Sequence, residues 1–205
     1  VQTELAWQHP EANRSHYAAV LQDLVGQTDL IVLPEMFTTG FMMTPETHAE
    51  NYGGATFTWL QEQAQHLNAA ICGSVATAEN GQYTNRFMFA TPDGEMQFYD
   101  KRHLFRMGGE VNHYSAGLER KVFHYKGWRI LPQVCYDLRF AELYRHYAAQ
   151  GADLLLVPSA FTHTTVRPTG RSCCARARLK IWLMWRQRPR AVCTPTGGAP
   201  GVTPR

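Results

Sequence analysis

The sequence predicts an α/β domain built from stacked layers, on three observations. Short apolar runs recur at "TDLIVLPE" (28–35), "AAICGSVAT" (69–77), "WRILPQVCYD" (128–137) and "ADLLLVPSA" (152–160). Amphipathic stretches separate several of them. A hairpin pattern is inserted between the second and the third. Runs this short and continuous suit strands covered on at least one face.

The elements follow in chain order. "VQTELAW" reads as the second half of a strand whose start is missing from the chain. Residues 11–25 place Ala12, Tyr17, Val20, Leu21, Leu24 and Val25 near one helical face. "TFTWLQEQAQHLNA" (56–69) is a second amphipathic helix. "QYTNRFMFATPDGEMQFYDK" (82–101) reads as a hairpin turning at Pro92-Asp93-Gly94. "AELYRHYAAQG" (141–151) is a short helix ending on Gly151.

Composition sets the outer bounds. The chain has 205 residues, 44% hydrophobic and 18% charged, which suits one globular domain with a real core. The net charge of +3 hides a split: residues 166–205 hold nine basic residues and no acid, while residues 1–165 carry a net −6. Such asymmetry ordinarily suggests a nucleic-acid or membrane partner. No apolar run is long enough to span a bilayer, and the N-terminus does not resemble a signal peptide. Five cysteines in no disulfide-like spacing favour a reducing, cytoplasmic compartment.

Three elements end in an unusual polar group: Glu35 after "LIVLP", Lys101 after "MQFYD", and Cys135 after "ILPQV". Each has a bland reading. A lone strand cysteine is usually packing, a glutamate after a strand is often a cap, and a lysine after a hairpin is usually solvated. Together they supply a nucleophile, a base and a cation, the components of covalent acyl transfer. Open α/β sheets gather such groups beyond the carboxyl ends of their strands.

The words "LPEMFTTGF", "FYDKRHLFRMGGE" and "GWRILPQVCYDLRF" resemble the nitrilase superfamily of carbon–nitrogen hydrolases, especially its omega-amidase-like branch. The resemblance covers about residues 1–165. It implies a four-layer α-β-β-α sandwich that usually dimerises, and a Glu35–Lys101–Cys135 triad with Glu110 as a second active-site glutamate. It implies hydrolysis of a small linear amide through a Cys135 thioester, releasing ammonia and a carboxylic acid. Lys101 and the backbone N–H of Tyr136 would hold the oxyanion. Glu110 suits either positioning of substrate or Lys101, or holding its own loop. No metal or other cofactor is expected, since His103, His113 and His163 lack metal-ligand spacing. Asp137 and Arg139 read mainly as an ion-paired scaffold for the nucleophile's turn. Substrates of this branch are amides of short dicarboxylic or keto acids, for which Arg106 or Arg139 could provide a cationic pocket.

After Phe140 the wording shifts. "AELYRHYAAQGADLLLVPSAFTHTT" is closer to the Nit-type amidases, as in a natural intermediate or a join of two related genes. From about Val166 the chain turns to arginine and proline. Read from the third base of each codon, with permitted codon choices, "TGRSCC" yields Trp-Glu-Val-Leu-Leu, and the later tail yields further Nit-type words. The expectation is a hydrolase domain over 1–165, C-terminally incomplete, and an out-of-frame basic tail over 166–205. A homodimer is doubtful for such a chain. The rival readings are a catalytically inactive binding protein on the same scaffold and, for the tail, a metal site at Cys173-Cys174 or a nucleic-acid arm.

Overall fold

The computed structural model describes residues 1, 3–140, 142, 151–160 and 184–185. Two sheets form its centre. The first holds β1 (Leu30–Val32), β2 (Glu50–Asn51), β3 (Ala70–Glu79), β4 (Gln82–Ala90) and β5 (Met96–Asp100). The spatial order is β1-β3-β4-β5, with β2 also on β3. The second holds β6 (Phe123–Tyr125), β7 (Trp128–Pro132), β8 (Leu154–Leu156) and β9 (Met184–Trp185), in that order. Strands β1 and β3 are parallel, as are β7 and β8, while β3-β4-β5 form an antiparallel meander. The α/β class expected from the alternating runs is therefore present.

The helical layer is α1 (Pro10–Leu21) and α3 (Ala55–Leu67), with the short α2 (Pro45–His48) before β2. Proline opens α1 where its missing N–H costs nothing. Asn68 closes α3 in the left-handed region, its N–H bonded back to the Ala64 and Gln65 carbonyls. Leu60, Ala64 and Leu67 of α3 meet Tyr17 and Leu21 of α1 over Ile71, Val75 and Met88 of the first sheet. Truncating one such leucine to alanine typically costs ~2–5 kcal/mol.

Strand alternation then builds the next layer. Cys72, Phe87, Phe89 and Tyr99 point the other way and pack on Phe123, Ile130, Val134 and Leu156 of the second sheet. Leu131, Leu155 and Val157 form a further cluster on that sheet's opposite face. The described residues thus show helices, sheet and sheet.

Three sequence expectations change. The apolar face of α1 is centred on Asn13, Tyr17 and Leu21, while Ala12, Val20 and Val25 are exposed. Asn13 is buried because its amide is satisfied by the backbone of Ala6 and Thr38. Residues Val1 and Thr3–Trp7 are not a strand: the Val1 amino group reaches the Val32 carbonyl, but no ladder develops. The hairpin at 82–101 is one arm of a longer meander. Asn80 and Gly81 both have positive φ (51° and 74°) and join β3 to β4 by a two-residue turn, the chemistry that favours Asn-Gly. The helix expected at 141–151 falls almost entirely outside the described residues, as do most of the 166–205 tail and His163.

Candidate active site

The register of the meander brings the polar groups together. Asn85 faces Lys101 across β4 and β5, and the Lys101 N–H donates to the Asn85 carbonyl at 3.0 Å. Both side chains continue the inter-sheet rows of Phe87 and Tyr99, one step beyond the apolar cluster. On the other side of Lys101, Gly117 donates its N–H to the Lys101 carbonyl at 2.8 Å. A Cβ on Gly117 would strike the backbone of Asp100, so only glycine allows this clamp.

Glu35 follows β1. Its turn is fastened to β3 by bonds from the Met36 N–H to the Ser74 hydroxyl (2.9 Å) and from the Phe37 N–H to the Ser74 carbonyl (3.1 Å). Cys135 follows β7. The ladder carries on past the strand through Gln133 N–H to Leu156 carbonyl and Cys135 N–H to Pro158 carbonyl, both 2.9 Å. The chain then breaks into a 3-10 turn, Cys135–Arg139. Met36 and Cys135 both sit at positive φ, 46° and 43°. That conformation is costly for a side chain with a Cβ, and it is held here by the surrounding bonds.

Lys101, Glu35 and Glu110 are all fully buried. The Lys101 ammonium donates to Glu35 Oε1 at 2.8 Å and to Glu110 Oε2 and Oε1 at 2.8 and 3.0 Å. Its ring neighbour is Phe41, 5.3 Å away. Burial works against the ammonium charge, but Glu35 and Glu110 outweigh it and hold its pKa above the ordinary lysine value. Glu110 also accepts the Phe105 N–H at 2.6 Å. It therefore both holds Lys101 and closes its own loop.

Cys135 is half-buried, with Glu35 and the Ala160 N–H close enough to its thiol to act on its charge. Burial pushes the thiol pKa up, the Glu35 charge adds to this, and Lys101 opposes it. The resting group is a neutral thiol next to a carboxylate. Tyr136 follows at the head of the turn, where N–H groups have no acceptor within the helix.

Asp137 is fully buried and braces the turn. It accepts bonds from the Val134 N–H (3.1 Å), the Tyr99 hydroxyl (2.9 Å) and the His103 N–H (2.9 Å), and lies 2.8 Å from the His103 ring nitrogen. The His103 ring stacks on Phe140, with centroids 3.7 Å apart. Asp137 is thus a scaffold residue with His103 and Tyr99 among its partners. Arg106 and Arg139 are exposed, and neither has an ion-pair partner among the described residues. His113 is also exposed. Among the described residues no cluster of three or more His, Cys, Asp or Glu could hold a metal ion. No helix of these residues is long and apolar enough to cross a membrane.

Sequence reading missed Asn85. Its amide donates to Glu35 Oε1 and Glu110 Oε1, each at 3.0 Å. The available signal was an asparagine inside an otherwise strand-forming run, where that residue is depleted.

This arrangement has relatives. The family model for carbon–nitrogen hydrolases matches residues 2–194. The chain belongs to the carbon–nitrogen hydrolase family. It is 51% identical over 142 residues to omega-amidase YafV of Yersinia enterocolitica, covering 68% of this chain and 54% of that one. Against omega-amidase YafV of Escherichia coli K12 the identity is 47% over 141 residues, with the same coverage. The fold matches a carbon–nitrogen hydrolase superfamily protein of Xanthomonas campestris, solved with an arsenic adduct in its active site. That match has a TM-score of 0.76 and 45% identity, over 80% of this chain and 64% of the other. The chain spans about half the length of the curated relatives it matches.

Proposed function

We propose that this carbon–nitrogen hydrolase cleaves the C–N bond of a small linear amide, with Cys135 as nucleophile. The observation that carries the reading is the buried Glu35–Lys101–Glu110 cluster beside the half-buried Cys135 thiol, with Lys101 2.8 Å from both carboxylates. As Cys135 Sγ attacks the amide carbonyl, its proton passes to Glu35. The C=O electrons move to oxygen, and the Lys101 ammonium and the Tyr136 N–H receive the oxyanion. One such donor typically contributes ~3 kcal/mol of barrier lowering. Collapse breaks the C–N bond, Glu35 returns the proton to the leaving nitrogen, and ammonia departs. Glu35 then takes a proton from water as it attacks the Cys135 thioester carbonyl; the C–S bond breaks, Glu35 passes that proton to Sγ, and the acid leaves.

The omega-amidase names of the relatives favour a short amide bearing a carboxylate at its far end. Arg139, four residues after the nucleophile, and Arg106, between Lys101 and Glu110, are the cations proposed for that carboxylate. The apolar cluster Leu131, Leu155 and Val157 on the outer face of the second sheet suits the family's fourth, helical layer. That layer and the homodimer both depend on what residues 161–205 contribute. Their basic, acid-free composition supports an out-of-frame reading. Sequencing the coding DNA tests it: a one-base offset restores a family-like frame, or the reading falls.

Ammonia release from a panel of short amides, compared with Cys135→Ala, tests the activity. Loss of release in the variant is expected, and equal release overturns the assignment. The chain's half-length match to its relatives favours one second reading, a scaffold that binds amides without turnover. It predicts no ammonia from the unaltered chain.

A further inference from the structure

We propose that Asn85 is a positioning residue of the site: its amide holds the Glu35 carboxylate and decides which of its oxygens is left for the thiol. The inference rests on the hydrolase reading above and adds a residue to it.

Asn85 is fully buried on β4. Its amide nitrogen lies 3.0 Å from each of two carboxylate oxygens, Glu35 Oε1 and Glu110 Oε1. Ionised carboxylates only accept hydrogen bonds, so the amide must present its NH2 to them. The same two oxygens accept from Lys101, at 2.8 and 3.0 Å. Two donors and two acceptors therefore close a ring: Lys101, Glu35, Asn85, Glu110. Lys101 supplies one positive charge for two buried negative ones. A neutral amide as the second donor leaves the cluster its one net negative charge, whereas a second cation would cancel it and make Glu35 a poorer base.

The amide gives up something to make these bonds. Asn85 Oδ1 is buried without a hydrogen-bond partner. An amide kept only for packing would be expected to satisfy both ends. Here one end is spent on holding two like charges together.

The ring also orients the base. Glu35 Oε1 already accepts two bonds, from Lys101 and Asn85. Oε2 accepts one, from the Ala160 N–H at 2.9 Å. An oxygen offers two lone pairs, so Oε2 is the one with capacity left for the Cys135 proton. Without Asn85 the carboxylate is free to rotate and share Oε1 with the thiol, and its anion loses a donor. Removing a donor disfavours the charged form of an acid, and a third carboxylate placed there disfavours it further.

The test reads Cys135 directly and needs no turnover. Alkylation by iodoacetamide is followed against pH, with the label on the Cys135 peptide counted by mass, in the unaltered protein, Asn85→Ser and Asn85→Asp. The acid limb of the rate profile is expected to move to higher pH in both. The larger move belongs to Asn85→Asp, about one pH unit, or about tenfold in rate at a fixed pH on the limb. Superimposable limbs in folded variants of unchanged Tm overturn the proposal. So does a fall in Tm with an unmoved limb, or failure of both variants to fold, since either makes Asn85 structural. If the limb moves but the unaltered protein releases no ammonia from any amide, the hydrolase reading fails and the role of Asn85 stands. If Cys135 turns over amides and the limb does not move, only the role of Asn85 fails.

Discussion

Two thiols share the layer between the sheets, and their surroundings set them apart. Cys72 lies within β3, near its start, fully buried among Phe87, Phe89 and Val32. Cys135 lies past the end of β7, packed against the same cluster but half-exposed. Burial raises both pKa values. Burial alone makes a thiol inert, because the thiolate is the nucleophile and desolvation opposes it. Cys135 is distinguished by a buried carboxylate with an open oxygen, an ammonium on that carboxylate, and a backbone at φ 43° that turns its side chain toward them. Position past a strand end, rather than residue type, makes the difference.

The largest effect expected is on turnover. Glu35→Gln removes the proton acceptor and keeps the shape, so kcat should fall by about 10²–10⁴, the usual contribution of a positioned base. Steady-state ammonia release measures it, and a loss below tenfold would make Cys135 no different in kind from Cys72. Lys101→Met comes next and is read as stability. It leaves Glu35 and Glu110 buried without their cation, for which the expected loss is about 3–5 kcal/mol in urea unfolding. The double variant Lys101→Met/Glu35→Gln should recover part of that loss. Unchanged stability in the single variant would mean that the buried charges are not ionised together.

Smaller effects sharpen the other side of the comparison. Cys72→Ser places a hydroxyl among aromatic rings and should cost about 1–3 kcal/mol, with turnover unchanged. Cys72→Ala should flatten the alkaline loss of stability. The folded Cys72 thiol keeps its proton where the unfolded one ionises, above about pH 8.5. The unfolded state then binds fewer protons, so stability falls as pH rises past that value. Removing the thiol should remove up to about 1.4 kcal/mol per pH unit from that slope. An identical slope in the variant would mean that Cys72 is not held neutral.

The legible part of this molecule was the part with periodicity. Continuous apolar runs marked β1, β3, β7 and β8, and the polar residue after three elements marked Glu35, Lys101 and Cys135. Asn85 was hidden because its role depends on register: it matters only because β4 sets it opposite Lys101. Asp137 was legible as a scaffold, but His103 as its partner lies 34 residues away, and no local pattern announces that contact. The missed Asn80-Gly81 turn was readable, since two adjacent residues that tolerate positive φ sit between two strand-like runs. Asn13 misled the reading of α1 because a buried amide satisfied by backbone looks like a surface residue in sequence.

The most direct test of the account is the acyl group itself. During turnover of an amide, rapid acid quench and peptide mass analysis should find the acyl mass on the peptide carrying Cys135 and none on the peptide carrying Cys72. In Cys135→Ala it should vanish together with ammonia release. Ammonia released at an undiminished rate by Cys135→Ala, with no acyl mass on any cysteine peptide, would contradict the account.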